Sequence, residues 1–428
     1  MQRDYIKDAL GKSGKVLVKG WVSDVRDLSK IRFIVLRDMS GIIQVTGIQG
    51  KTDPKVFEIM DKIPRESVIE VEGELKDSKQ APGGKEILPT RIGVIAEAEH
   101  PLPIDVSEKS QTELPKRLDN RGLDLHRKKI QAIFKIQSTI STAFRNHFIE
   151  KSFVEFQPPS IIGSSSEGGT DLFEAKYFEK KAFLAQSPQL YKQMVACSME
   201  KAMTVTPVWR AEKHNTVRHL NECRQMDIEM GFVDATGVMK QMEEVVQFMV
   251  KEVLAKNSED LDLLGVKLKV PKAKYMTFEE AAKILKKAGV HVGKDDLSGE
   301  AEKKLNELFP DTIVFVHDWP MAGKPFYIMP KGGKADAEIS EGFDAIYRGM
   351  EISSGGQRIH IPDLLIARLK AKKLNPKDFK SYVDSFRYGA PPHCGWSIGL
   401  ERFTQVLLEL DNIREAVMFP RDRDRLSP

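Results

Sequence analysis

Val208-Trp209-Arg210-Ala211-Glu212, followed after a polar stretch by Met226-Asp227-Ile228-Glu229-Met230, is the part of the sequence that decides the fold. An apolar strand, a loop rich in His, Asn and Arg, and a second strand of alternating pattern read as a hairpin with charged residues along one face. Far downstream, Gly395-Trp396-Ser397-Ile398-Gly399-Leu400-Glu401-Arg402-Phe403 reads as a glycine-punctuated strand running into a helix that continues through Val406, Leu407 and Leu410. Arg210 and Arg402 suit the gripping of phosphate, because a guanidinium at such a junction can point its planar fork into a cleft.

The 428 residues exceed one ordinary core, so two or more domains are expected. With 30% charged and 41% hydrophobic residues, the composition is that of a soluble globular protein and not of a disordered or membrane one. No apolar run is long enough to span a bilayer. The first ten residues carry Arg3, Asp4, Lys7 and Asp8 and lack an apolar core, so no secretory signal is present and the expected location is the cytoplasm. Cys197, Cys223 and Cys394 are scattered, with neither metal-ligand spacing nor a disulfide framework, and read as small packing residues. A net charge of +4 is too small to argue nucleic-acid binding from bulk charge. The local clusters Lys116-Arg117, Arg121, Arg127-Lys128-Lys129 and Arg421 to Arg425 read as solvated faces.

Residues 1–100 show five short strands: Val16-Leu17-Val18, Phe33 to Leu36, Ile42 to Val45, Val68 to Val71 and Ile92 to Ile95. Turn signals at Ser40-Gly41 and Pro82-Gly83-Gly84 lie between them. This spacing predicts a small Greek-key barrel of the oligonucleotide-binding (OB) type, for which a barrel without a ligand is the plainer reading. Residues 101–125 read as a linker. Beyond it, Ile133, Ile136, Ile140 and Phe144 follow helical spacing and lead into a strand ending at Pro158-Pro159. Met242, Val245, Val246, Met249 and Val253 mark a second amphipathic helix. Residues 261–308 read as a small inserted subdomain, with a capping box at Thr277 and Glu280.

Chemistry-bearing residues after the linker fall in five places: Glu167-Gly168-Gly169-Thr170, Gln186 to Lys192, Arg210 to Glu229, Asp344 to Arg358, and Gly399 to Arg402. No phosphate-cradling P-loop, dinucleotide glycine fingerprint or nucleophile elbow is present, so phosphate chemistry must rest on arginines and metal-binding carboxylates. In this order, with Gln186-Ser187-Pro188-Gln189 and Ile352-Ser353-Ser354-Gly355-Gly356-Gln357-Arg358 between, Arg210-Ala211-Glu212 and Gly399-Leu400-Glu401-Arg402 make the chain resemble the class II aminoacyl-tRNA synthetases. Among these it is similar to the aspartyl-tRNA synthetases of the archaeal and eukaryotic type, over nearly its whole length.

The resemblance implies an α+β protein: an N-terminal five-stranded OB-type β-barrel for the anticodon, then, over residues 126–428, a catalytic antiparallel sheet flanked by helices. It further implies a homodimer joined through the helix and strand ending at Pro159. Under the resemblance Arg210 holds the α-phosphate of ATP and Arg402 the γ-phosphate. Glu212 and His219 contact adenine and the outer phosphate, and adenine stacks on Phe232. Asp344 and Glu351 hold Mg2+, with Ser354 as a further oxygen partner. Lys192 and Arg358 face the substrate side-chain carboxylate within a network that includes Asp227, while Gln189 and Glu167 reach the α-amino group. Phe33, Gln44 and Glu86 take the anticodon bases, an aromatic face with amide and carboxylate edges.

Three rivals differ at named residues. An asparaginyl-tRNA synthetase shares the architecture, but a lysine at Lys192 suits a carboxylate better than a neutral amide. A lysyl enzyme needs a carboxylate for its cationic substrate, where this pocket offers cations. A non-catalytic RNA-binding paralogue has no use for Arg210, Glu351 and Arg402. Ser23, after Gly20-Trp21-Val22, and Pro82 stand where strict archaeal-type relatives have a tryptophan and a lysine, so the expectation is charging of both tRNA(Asp) and tRNA(Asn). A partner amidotransferase would then repair the second product.

Overall fold

A computed structural model describes residues 2–163 and 172–428. They form two compact units, Met1–Asp105 and Val106–Pro428.

In the first unit β1 (Gly14–Asp27), β2 (Ile31–Arg37), β3 (Ile42–Ile48), β4 (Val68–Asp77) and β5 (Lys85–Ala96) close into a barrel in the order β1-β2-β3-β5-β4. Alternation turns Val16, Val18 and Val22 of β1 inward, where Ile34, Leu36, Ile43, Val45, Ile69, Val71 and Ile87 meet them. β3 and β5 pair in parallel, and the other ladders are antiparallel. The five expected strands are present, but β1, β4 and β5 run well beyond their apolar centres, because closing a barrel requires long, tilted strands.

The second unit is built on an eight-stranded sheet, formed by β6 (Val154–Glu155), β10 (Lys201–Trp209), β11 (Glu222–Gly231), β12 (Lys272–Thr277), β13 (Thr312–His317), β14 (Gly342–Tyr347), β15 (Met350–Gln357) and β16 (His393–Gly399). Their order is β12-β13-β14-β15-β16-β11-β10-β6, and β7 (Ile161–Ile162), β9 (Lys180–Leu184) and β8 (Glu174–Tyr177) form a separate three-stranded sheet. The helices Lys128–Glu150 and Ala235–Lys256 bury the stripes read from the sequence against one face of the large sheet. There Phe144, Phe148, Met242 and Val246 surround the fully buried Trp396, each large apolar side chain contributing about 1.5–3 kcal/mol.

Some boundaries differ from the sequence reading. Residues 101–125 are not uniform linker: they include the helices Leu114–Asp119 and Arg121–Asp124. Arg121 is buried there against Asp124, with Nε and Nη2 donating to the carbonyls of Met418 (2.8 Å) and Val417 (2.9 Å). This corrects the reading of Arg121 as part of a solvated face, because alternation and helical periodicity carry no trace of such an anchor. The helix begun at Leu400 ends at Leu407, so Leu410 lies outside it. Within residues 261–308 the capping box at Thr277 is present, yet β12 is also the edge strand of the large sheet, pairing in parallel with β13. Helices Phe278–Lys287 and Gly299–Leu308 share an apolar cluster with Trp319 and Ile346. Among the described residues, no helix is long and apolar enough to cross a membrane.

Candidate active site

The face of the large sheet opposite the two long helices carries a cleft of about 340 Å³. Its floor follows from strand register. Asp344 of β14 lies opposite Ser354 of β15, Ser354 opposite Ser397 of β16, and Ser397 opposite Asp227 of β11. With strands about 4.8 Å apart, this polar row spans roughly 15 Å. Alternate residues of β11, namely Cys223, Gln225 and Asp227, continue the floor at right angles to it, with the fully buried Glu229 next in the alternation.

At one end Lys192, on the helix Gln189–Met199, is almost fully buried. Its ammonium lies 2.7 Å from Asp227 Oδ1, 3.1 Å from the Trp396 carbonyl and 3.6 Å from Glu229 Oε2. The Ser397 hydroxyl donates to the other Asp227 oxygen at 3.0 Å. Arg358 grips Glu229 with Nε at 2.9 Å and Nη2 at 3.3 Å. Burial pushes the Asp227 carboxyl above its ordinary range, against the pull of Lys192. The sequence expectation placed Lys192, Arg358 and Asp227 in one network, and a second buried carboxylate, Glu229, joins them. Glu229 fits only because its cross-strand partner is a glycine: a Cβ on Gly395 would sit 2.0 Å from Glu229 Oε2. Behind this pocket Gln189 donates to Gln193 (2.8 Å), which also accepts from Tyr382 (2.9 Å) and lies 2.9 Å from the His393 ring.

At the other end of the row Asp344 is paired with Lys324 at 2.8 Å. Burial first, and the nearby Asp344 carboxylate second, push Glu351 up to about 7. Asp344 is near enough to shift Glu351, and like charges so placed suit a divalent cation, although among the described residues no group of three or more His, Cys, Asp or Glu side chains is arranged to hold one. Ser354 lies beside Asp344 in register, and Arg402 Nη1 donates to the Glu351 carbonyl at 3.2 Å. Glu401, the neighbour of Arg402, is buried and accepts from the Arg224 amide at 2.8 Å, and burial holds its carboxyl up at about 7.

Arg210 follows β10 directly, its amide donating to the Asn221 carbonyl (3.0 Å), while Asn221 Nδ2 returns a bond to the Arg210 carbonyl (2.6 Å). Glu212 stands 3.7 Å from His219, whose ring contacts Thr216 Oγ1 at 2.6 Å. Burial lowers the His219 imidazole below its ordinary value despite Glu212. Arg218 reaches Glu302 at 3.4 Å.

Among the expected site residues, the cleft is lined by Gln189, Lys192, Arg210, Glu212, His219 and Asp227, together with Glu351, Ser354, Arg358 and Arg402. Phe232 is a correction. It lies past the far end of β11, 72% exposed with φ 59°, its amide donating to the Pro392 carbonyl. At about 3.3 Å per residue, the stretch from Cys223 to Phe232 spans roughly 30 Å and carries the ring away from the Arg210 and His219 end of the cleft. The apolar wall there is made by Cys223, Leu220 and Ile413, with burial pushing the Cys223 thiol up to about 12. Glu167 lies outside the described residues. Lys324, Glu229, Tyr382 and Gln193 were missed by sequence reasoning, since only tertiary packing brings them to the site: Glu229 by strand register, Lys324 on the loop before β14, and Gln193 and Tyr382 on two helices.

On the barrel, Phe33 pairs with Thr46, Val35 with Gln44, and Gln44 with Glu86, so the three anticodon candidates share one outer face. Gln44 Nε2 donates to Glu86 at 2.9 Å. Ser23 sits at a bulge in β1, its hydroxyl accepting from Arg37 at 3.1 Å. Pro82 opens the short 3-10 turn Pro82–Gly84 between β4 and β5.

A closed OB barrel with a mixed sheet, antiparallel but for its two edge pairs, that carries Arg210, Asp344, Glu351 and Arg402 has the architecture of a class II aminoacyl-tRNA synthetase. The family model for class II tRNA synthetases (D, K and N) matches residues 113–423, and that for OB-fold nucleic acid binding domains matches residues 16–95. The chain belongs to the class II tRNA synthetases of this group and, within it, to the aspartate–tRNA ligase family. Relatives from Methanocaldococcus jannaschii (44% identical, 97% of this chain and 95% of that one) and Archaeoglobus fulgidus (46%; 97% and 96%) are named aspartate–tRNA(Asp/Asn) ligases. One from Thermococcus kodakarensis (44%; 97% and 96%) is named an aspartate–tRNA(Asp) ligase. The crystal structure of asparaginyl-tRNA synthetase from Pyrococcus horikoshii complexed with asparaginyl-adenylate superposes with a TM-score of 0.94, at 33% identity and covering all of both chains.

Proposed function

We propose that the chain activates L-aspartate with ATP and transfers it to tRNA(Asp) and tRNA(Asn) in the cytoplasm. The aspartate carboxylate attacks the α-phosphorus and the bond to the β-phosphate breaks, releasing pyrophosphate. A terminal tRNA hydroxyl then attacks the carbonyl carbon, AMP leaves, and the hydroxyl proton goes to the released phosphate. Arg210 stabilises charge that builds on the α-phosphate, and Arg402 holds the outer phosphate. Asp344, Glu351 and Ser354 would hold Mg2+, which supplies charge neutralisation at the phosphates when bound.

The observation that carries the choice of aspartate is the convergence of donors at Lys192 and Arg358. Lys192 keeps an N–H beyond its bonds to Asp227 and the Trp396 carbonyl, and Arg358 keeps Nη1 beyond its two bonds to Glu229. A carboxylate accepts from both, whereas the amide of asparagine would turn its own N–H groups against one of them. Such a mismatch supports discrimination of roughly 10⁴ or more. The test is amino-acid-dependent exchange of pyrophosphate into ATP. Aspartate is expected to support it and asparagine and lysine are not, and equal use of aspartate and asparagine overturns the assignment.

Charging of both tRNAs is supported by Ser23, whose hydroxyl is already engaged by Arg37, and by Pro82, which has no side-chain donor for a base edge. A partner amidotransferase would convert the aspartate on tRNA(Asn). Aspartylation of the two purified tRNAs with similar kcat/KM is expected, and a hundredfold preference for tRNA(Asp) defeats this part. A homodimer is supported by β6, an edge strand paired among the described residues with β10 alone, beside the exposed apolar residues Ile149, Val154 and Ile161.

A further inference from the structure

The loop between β10 and β11 carries Glu212, Arg218 and His219 to the nucleotide end of the cleft, yet residues 213–219 take much of their support from a segment far away in sequence. The Ile413 amide donates to the Val217 carbonyl at 2.9 Å, and Arg414 Nη1 donates to the Thr216 carbonyl at 3.1 Å. Arg414 Nη2 also reaches the Asn215 side chain, and its Nε pairs with Asp422. Further on, the Asn221 amide donates to the Arg421 carbonyl (2.8 Å), Arg423 donates to the Lys213 carbonyl (3.1 Å), and Asn215 Nδ2 donates to Asp424. Asp422 is itself fixed by the amides of Asp424 and Arg425, each at 2.9 Å, and Arg425 is moored to Asp119 at 2.6 Å.

Loops are ordinarily the least ordered parts of a fold. Here a polar loop that must meet a polyanion has the carbonyls of Lys213, Thr216 and Val217 and the Asn215 side chain taken up by one segment, with the Arg414–Asp422 pair at its centre. We propose that residues 413–425 form a brace that holds the 213–219 loop in its nucleotide-binding shape, with Arg414 and Asp422 as positioning residues. The proposal rests on the reading of this loop as part of the ATP site. A loop that is only fractionally competent raises the apparent Kd for its ligand by the inverse of that fraction, without altering turnover once the ligand is bound. Damage to the brace therefore falls on ATP affinity alone, since the aspartate pocket is held independently by Asp227 and Glu229.

The test compares Asp422→Ala, the conservative Asp422→Glu and the exposed double variant Arg423→Ala/Asp424→Ala with the wild type in pyrophosphate exchange. Each is also followed by thermal melting and by tryptic cleavage after Lys213 and Arg218. Asp422→Ala is expected to raise the KM for ATP roughly tenfold and the double variant about threefold, with kcat within about twofold and the KM for aspartate unchanged. Cleavage in the loop should quicken in the same order, and Asp422→Glu should restore most of both effects. An unchanged ATP KM and cleavage rate in the folded variants overturns the brace, as does an equal rise in both KM values. Should Asp422→Ala fail to fold, the double variant decides. A wild type inactive with aspartate would count against the site reading, while the tryptic pattern would still report on the brace.

Discussion

Replacing Gly395 with alanine tests the aspartate pocket through its packing and leaves its charges in place. The added Cβ would lie 2.0 Å from Glu229 Oε2 and 2.3 Å from the Ile228 carbonyl oxygen, where ordinary contact needs about 3.5 Å. The carboxylate has to retreat by more than about 1 Å, and because the carbonyl belongs to the β11–β16 ladder the two strands must also part locally by a similar amount. That displacement pulls Glu229 from its bonds to Arg358 and frees the guanidinium to turn. Misplacement of this size is worth about 10²-fold in rate, so kcat/KM for aspartate in pyrophosphate exchange should fall about a hundredfold. Overpacking of this kind costs about 1–3 kcal/mol, against about 5–15 kcal/mol of total stability, so the protein should remain folded on melting. A folded Gly395→Ala protein with wild-type kcat/KM for aspartate would refute the account of how the pocket is held.

Arg210→Ala and Arg402→Ala should each abolish adenylate formation while leaving the melting temperature near wild type, since one preorganised donor is worth about 2.7–4 kcal/mol of barrier. Near-normal exchange in either variant removes its assigned role. Phe33→Ala and Gln44→Ala should weaken tRNA aspartylation by about 1–3 kcal/mol per lost base contact and spare pyrophosphate exchange, whereas matched losses in both assays would mark them as structural. Phe232→Ser should leave the KM for ATP unchanged, and a clear rise would restore Phe232 to the nucleotide site. Burial raises the Glu401 carboxyl to about 7, so the folded state keeps a proton that the unfolded chain sheds. That stabilisation is complete below the ordinary Glu pKa and is lost as pH rises through about 7. Glu401→Gln should flatten the fall in Tm between about pH 5 and 8, by roughly 3 kcal/mol at most, and an unaltered slope would show that another group sets it.

The barrel was legible because its strands alternate and its turns carry glycine and proline. The long helices were legible because Ile133 to Phe144 and Met242 to Val253 keep a helical period. The hairpin around Arg210 and the strand before Arg402 could be placed because their punctuation is local. Phe232 was misjudged because proximity in sequence to a hairpin does not say which end of a strand faces the cleft. Strand rise carries it away while Cys223, an unremarkable thiol in the sequence, lines the wall. Glu229 and Lys324 were missed for a related reason. Each is an ordinary charge in its own stretch, and it acquires meaning only when register or a returning loop sets it beside Arg358 or Asp344.

The polar row Asp344, Ser354, Ser397, Asp227 has a length fixed by strand spacing and not by its side chains. It works as a gauge, with the Asp344 carboxylate at one end and the Lys192–Asp227 pair, the proposed amino-acid pocket, at the other. Side chains at either end can be exchanged without altering the distance between them, because the hydrogen-bonded ladder does not read what projects from it. One-residue slips are excluded, since they would turn the whole row to the buried face. A scaffold of this kind lets amino-acid choice change at one end while the nucleotide chemistry stays at its fixed distance, which is what a family spanning D, K and N requires.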